Sequence, residues 1–449
     1  NPLPHRRRCK RARLMIRLLR FMRIDHLKIE NFKKFRHESL DLHRQFTLLV
    51  GDNGSGKTSI LDALAVALGL WHKAAPGSGW RNINTEEIRL EPRSAGDRIM
   101  FEPRLPSKIS VVGAVGGREG LKWVRMIRKG GTRTTNAEAK DAEQAISELA
   151  KAAEAQAASL PVLAYYGAGR AWLATNKRHA GPVSQRKRQR LDAYYNCLDT
   201  RIRDRDLNEW FLYEAAANGQ SEGRLGYRAV KQAVLDCIPG ADGLRFDSDL
   251  KDIVLSIRGF EQPFYNLSAG QRMMLAMVAD IAIKALTLNS YQLGSGLPGG
   301  GDPMLFLKQT PGIVLIDELD VHLHPNWQRR AATDLKRTFA GIQFVCTSHS
   351  PQVIGEVSPE EIRLLEDETV SRPSRSHGID SSRILEELMG AASRNEVVAD
   401  LLKNLSRSID REDFSQAQDL LGQVEKELGP DDPEVTRART LMAFLESEV

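Results

Sequence analysis

The stretch Phe46-Thr47-Leu48-Leu49-Val50-Gly51-Asp52-Asn53-Gly54-Ser55-Gly56-Lys57-Thr58-Ser59 constrains the fold more than any other part of the chain. Its apolar start, with β-branched and aromatic members, predicts a buried strand, and the spacing Ile60, Leu61, Leu64, Ala65, Leu68 predicts a helix directly after it. The loop between them joins a strand to a helix, the setting in which Gly51-x-x-x-x-Gly56-Lys57-Thr58 forms a phosphate cradle. Glycines at 51, 54 and 56 allow successive backbone N–H groups and the helix N-terminus to turn toward a phosphate. Asn53, Ser55 and Ser59 fill the remaining positions of the candidate nucleotide-binding loop. Lys57 is placed to reach the β- and γ-phosphates and the Thr58 hydroxyl to hold Mg²⁺.

At 449 residues, with 41% apolar and 27% charged residues, the chain has the size and balance of a globular protein of two or three structural units. No run is expected to be long and apolar enough to cross a bilayer, which argues against a fused transporter and a transmembrane partner. Cys9, Cys197, Cys237 and Cys346 are scattered without metal-ligand spacing, as expected for a reducing compartment such as the cytoplasm. The net charge of +6 is local: residues 1–21 hold eight Lys/Arg and no acid, so the remainder carries −2. Met22 precedes a coherent strand, and residues 1–21 are expected to be a basic, disordered N-terminal extension, with a phosphate- or membrane-binding arm or a targeting segment as alternatives.

Further along, Ile109–Val115 and Leu121–Ile127 predict a hairpin around Gly116–Gly120, and Asn136–Ser159 predicts a helix. Pro161–Tyr166 predicts a strand leading to Arg170, a residue worth testing as a site group. Arg178, Arg186, Arg188, Arg190, Arg201, Arg203 and Arg205 interleave with Tyr194 and Tyr195; nearby aspartates favour a solvated face over a nucleic-acid surface. Leu267-Ser268-Ala269-Gly270-Gln271 opens a helix with Ser268 as N-cap. Gly312–Ile316 followed by Asp317, Glu318 and Asp320 describes a central strand with acids at its C-terminal edge, and Gln343–Thr347 a second strand delivering Ser348-His349-Ser350. His322 and His324 flank Leu323 before Pro325, a packed helix cap rather than a metal pair. The last segments, Ile384–Met389, Val397–Ile409, Phe414–Leu428 and Pro433–Leu445, are helical.

The order phosphate loop, Leu267–Gln271, Ile316-Asp317-Glu318, Asp320 and His349 resembles the ATP-binding-cassette type of ATPase. The wording His322-Leu323-His324-Pro325-Asn326-Trp327-Gln328 and Thr347–Gln352 is similar to its RecF/SMC/OLD-like branch, closest to the ATPase subunits of Septu and retron-associated anti-phage systems. The resemblance spans Met22 to about Leu365 and implies an α/β fold, an ABC-ATPase head with an antiparallel β subdomain, a helical lid insertion and a helical C-terminal tail. The expected layout is a basic extension 1–21, an N-terminal lobe 22–135, a mainly helical lid 136–240, a C-terminal lobe 241–370 and a helical region 371–449.

It also implies roles. ATP and Mg²⁺ are the cofactors; Thr58 and Asp317 hold the metal, Glu318 activates water, and His349 with Lys57 contacts the γ-phosphate. Lys33 and Lys34 are further nucleotide-binding candidates. Ser268, Ala269, Gly270 and Gln271 form the signature that grips a nucleotide held by another protomer, and Asp320 belongs to the D-loop. Ala269 stands where the family usually has glycine, and the glutamine that bridges Mg²⁺ is assigned only to the segment after Tyr166. The implied function is ATP hydrolysis by a homodimer or higher oligomer that regulates a separate effector, an HNH nuclease if the Septu likeness extends that far. The alternative is a DNA-repair or recombination ATPase contacting DNA through Arg186, Arg188 and Arg201.

Overall fold

The alternating stretch Met22–Phe32 forms β1 and returns at Lys33-Lys34 as β2 (Phe35–Asp41), ahead of the buried β3 (Phe46–Gly51). The computed structural model describes residues 22–75, 80–95, 98–169, 190–200, 204–216, 224–294, 301–366 and 369–448. Strands β4 (Leu90–Ala95) and β5 (Arg98–Pro103) pair as a separate ribbon. Then β6 (Ser107–Val115), β7 (Arg118–Ile127) and β8 (Thr135–Ala137) complete an antiparallel sheet in the order β2-β1-β6-β7-β8. The β6–β7 turn is shorter than the glycine-rich stretch suggests. Gly116 (φ 59°) and Gly117 (φ 86°) make it alone, a left-handed pair that matches strand twist.

The remaining strands are β9 (Val162–Tyr166), β10 (Ala241–Asp247), β11 (Asp252–Ile257), β12 (Phe260–Pro263), β13 (Gly312–Ile316), β14 (Ile342–Thr347), β15 (Ile362–Glu366) and β16 (Thr369–Ser371). Strands β10 to β12 form a small antiparallel meander. The central sheet runs β16-β15-β3-β14-β13-β9, parallel except for the edge hairpin β15–β16. Five of its strands are covered almost without interruption, as a sheet with helices on its faces requires. The phosphate-loop helix, Lys57–Leu68, is buried from Ile60 to Leu68 because it lies between the antiparallel sheet (β1, β6, β7) and the parallel one (β3, β13, β14).

Several expectations need correction. The sheet strand β9 lies inside the span 136–240 expected as a helical lid, and the helix expected over Asn136–Ser159 is Lys140–Glu154, its first residues having joined β8. Contrary to the composition argument, the segment Ala269–Leu293 is long and apolar enough to cross a membrane. Here most of it is buried against protein, including β9 and the helix Leu225–Cys237, so its apolarity serves the core. A helix starts at Pro325, with His324 Nδ1 accepting from Asn326 N–H at 3.3 Å, which makes His324 a cap. Residues 1–21, Arg170, Arg178, Arg186, Arg188, Arg201 and Arg203 lie outside the described residues.

The chain separates into Asn1–Ile379 and Asp380–Val449, so residues beyond 370 stay with the first unit as far as Ile379. The second unit is helical, Ser381–Met389, Glu396–Asp410, Phe414–Leu428 and Pro433–Glu448, around Leu405, Ile409, Ala417, Leu421, Val424, Val435 and Met442.

In the first unit a bulge between Ile24 and His26 breaks the β1–β6 ladder, and a buried side chain from β14 supplies the missing bonds. Gln343, 2% exposed, accepts from Ile24 N–H at 2.8 Å and donates to the Ile24 and His43 carbonyls at 2.8 and 2.9 Å, joining the two sheets. Gln343→Met should lower stability by about 2–4 kcal/mol, because it strands these buried backbone groups. Urea denaturation measures this, and a loss below about 0.5 kcal/mol would contradict the bridge.

Candidate functional site

Because β3, β14 and β13 are parallel neighbours, their C-terminal ends emerge side by side: the phosphate loop after Val50, the Ser348-His349-Ser350 loop after Thr347, and the acids after Ile316. Gly56 caps the phosphate-loop helix in the left-handed region (φ 102°), and no side chain caps that helix end. Its first N–H groups and the positive end of its dipole are therefore offered to an anion. A Cβ on Gly56 would lie 2.4 Å from Phe35 Cζ, so the β1–β2 turn presses directly on the loop. Ser55 Oγ is buried with no hydrogen-bond partner among the described residues, an orphan of the kind a phosphate oxygen would satisfy.

Lys57 Nζ folds back to donate to the Gly51 and Asp52 carbonyls at 2.8 and 2.9 Å. Burial pulls its ammonium below the ordinary lysine value, while the negative charges of Asp317, Asp52 and Glu318 oppose that shift. Thr58 Oγ1 donates to Asp317 Oδ2 at 3.0 Å across 259 residues of sequence. That hydroxyl and carboxylate are hard oxygen ligands of the type Mg²⁺ takes, so the residues present fit the ion. Asn53 is exposed at the loop tip and Ser59 half-buried in the first helical turn.

The two flanking lysines divide. Lys34 Nζ donates to the Gly54 carbonyl at 2.7 Å and so belongs to the loop. Lys33 does not: its ammonium bonds Asp62 on the phosphate-loop helix and lies 3.6 Å from Glu87, which corrects its place among the nucleotide contacts.

The acids are held from the neighbouring strand. Thr347 Oγ1 donates to Asp317 Oδ1 at 2.7 Å and accepts from Glu318 N–H at 2.7 Å, while the Thr347 carbonyl accepts from Leu319 N–H at 2.9 Å. These bonds hold Glu318 at φ 51°, a left-handed conformation costing a non-glycine residue about 1–2 kcal/mol. Asp320 Oδ1 accepts from His349 N–H at 3.3 Å, which ties the histidine loop to the acid loop. Sequence reasoning assigned Thr347 no role. Its signal is a hydroxyl residue ending an apolar strand, where a buried hydroxyl must find partners.

Ser268 opens the signature helix in a capping box, accepting from Gln271 N–H at 3.3 Å while Gln271 Oε1 accepts from Ser268 N–H at 2.9 Å. Ser268 is exposed and Ala269 partly so, whereas Gly270 is buried with the His322 carbonyl where a Cβ would be, at 2.3 Å. The structure therefore brings the signature against the loop after Asp320. Among the described residues no hydrogen bond joins Ser268–Gln271 to the phosphate loop of the same chain. Two tyrosines of β9 turn to different helices: Tyr165, its hydroxyl pushed up by burial and then by the charges of Asp62 and Asp317, lies near the phosphate-loop helix, and Tyr166 Oη donates to Asp280 on the signature helix at 2.7 Å. Of the segment after Tyr166 expected to hold the Mg²⁺-bridging glutamine, only Gly167, Ala168 and Gly169 are described before Arg190.

The strand, glycine-rich loop and helix beside the acids at the sheet's C-terminal edge make up a phosphate-loop nucleotide site, and the chain is similar in sequence to proteins built around such sites. The family described as "AAA domain" matches residues 26–222, and the one described as "AAA domain, putative AbiEii toxin, Type IV TA system" matches 243–355. The chain is similar to the "Retron Ec83 probable ATPase" of Escherichia coli, 32% identical over 45% of this chain and 36% of that protein. It is likewise similar to the "Retron Vc95 probable ATPase" of Vibrio cholerae, 31% identical over 36% of this chain and 30% of that protein. The Septu protein PtuA of Bacillus thuringiensis is 25% identical over 51% of this chain and 59% of its own length. The chain thus spans less than two thirds of each of these relatives.

Replacing Thr347 by the isosteric Val should cost about 1–3 kcal/mol, because Glu318 N–H and Asp317 lose a buried partner. A Thr347→Val protein as stable as the wild type in urea denaturation would show that the hydroxyl bridge does not form in solution.

Proposed function

We propose that the protein binds ATP with Mg²⁺ in the phosphate loop and hydrolyses it at a site completed by a second copy of the chain. The observation that carries this reading is the convergence of Thr58 and Asp317 at 3.0 Å beside Lys57 and Glu318. Mg²⁺ held by Thr58 and Asp317 would neutralise phosphate charge. Lys57, freed from the Gly51 and Asp52 carbonyls, grips the β- and γ-phosphates, and Ser55 Oγ and the uncapped helix N-terminus add donors. Glu318 orients and deprotonates the attacking water, and His349 contacts the γ-phosphate.

The exposed Ser268 and the accessible start of the signature helix support engagement of a nucleotide in another protomer, so that ATP joins two heads. The retron and Septu names of the relatives support a defence role, and in this reading the ATPase works in the cytoplasm and governs a separate effector. A DNA-repair role would rest on Arg186, Arg188 and Arg201, which lie outside the described residues.

Glu318→Gln should lower phosphate release by about a hundredfold or more while preserving ATP-dependent dimers in size-exclusion chromatography. Lys57→Met should lose both. Turnover undiminished in Glu318→Gln would remove the assigned base, and ATP binding undiminished in Lys57→Met would remove the site.

A further inference from the structure

We infer that Gln328 is a positioning residue that couples the Asp320 loop to the His349 loop, so that nucleotide at one end of the linkage changes the other. The inference rests on the nucleotide site proposed above and adds a residue to which neither the motifs nor the relatives assign a role. Gln328 lies in the first turn of the helix Pro325–Thr338, half-buried between the two loops. Its Nε2 donates to the Asp320 carbonyl at 3.2 Å and to the Leu323 carbonyl at 3.0 Å, spanning the loop that follows the acids. Its Oε1 accepts from Ser350 Oγ at 2.7 Å. Ser350 Oγ in turn caps the helix after His349, accepting from Gln352 N–H at 3.1 Å and Val353 N–H at 3.3 Å.

One amide thus uses both its donors on one loop and its acceptor on the other, and only a primary amide of this length offers that combination. The loop it holds is under constraint. His322 is left-handed at φ 60°, and the same residue's carbonyl packs on Gly270 of the signature helix. A bond to Asp320 and Leu323 therefore bears on the surface presented to a second protomer, while the bond to Ser350 bears on the histidine facing the chain's own nucleotide. The Asp320–His349 bond runs between the same two loops, so Gln328 makes the connection double. With it, the two loops have one joint arrangement rather than two independent ones.

Hydrogen–deuterium exchange with and without ATP tests this, following peptides that report on 320–324, beyond the acids at the nucleotide itself, and on 348–354. In the wild type ATP should protect both segments. In Gln328→Met, ATP should still protect 348–354, with affinity for a fluorescent ATP analogue within about threefold of wild type, but the protection of 320–324 should fall by about threefold or more. A merely structural role would lower the melting temperature and raise exchange in both segments with or without ATP. Should Gln328→Met fail to fold, Gln328→Asn, one methylene short of spanning all three partners, gives the same comparison. Protection of both segments by ATP in the variants overturns the coupling. A wild type in which ATP protects neither segment overturns the nucleotide site itself, and the coupling with it.

Discussion

One hydroxyl organises the candidate site. Thr347 ends the strand between the phosphate-loop strand and the acid strand, and its Oγ1 bonds Asp317 on one side and the Glu318 backbone on the other. Asp317 then reaches Thr58 on the phosphate-loop helix. Three motifs, separated by 259 and 30 residues of sequence, thereby share one short chain of polar contacts. In a buried setting such a chain has few alternatives, because each group it releases would be left without a partner. The left-handed backbone of Glu318 is the cost of this arrangement, and it places the acid out of line with the strand that carries it.

The parts of the site legible in the sequence are those whose signals are local. The phosphate loop, the acids after four aliphatics and the Ser268 cap each declare themselves within a few residues, and the structure forms all of them. What depends on distant partners was not legible. Lys33 and Lys34 look alike in sequence, yet Asp62 and Glu87 draw one away while the Gly54 carbonyl keeps the other. The roles of Thr347 and Gln328 arise only when β14 meets β13 and the next helix. Membership of β9 in the central sheet was hidden for the same reason, since its parallel partner β13 begins 150 residues later in the chain.

The helix beginning at Ala269 makes the related point about composition. Burial by protein on nearly every side and burial by lipid ask for the same apolar residues, so length and hydropathy alone do not separate them. What distinguishes this helix is its entry. Its N-cap Ser268 is exposed, and Asp280 in its middle is already bonded by the Tyr166 hydroxyl. The C-terminal unit builds its own apolar centre from Leu405, Ala417, Val424 and Val435, which answers how helices outside the sheet bury their faces.

Tyr165 and Tyr166 are consecutive, so in a strand they leave opposite faces of the sheet. One lies near the charge of Asp62 on the helix that begins at the phosphate loop, and the other bonds Asp280 on the helix that begins at the signature. A single peptide group therefore lies between a neighbour of one helix and a partner of the other. If either helix rolls about its axis, the edge strand must twist with it, and the torque arrives at the opposite face without passing through any flexible connection.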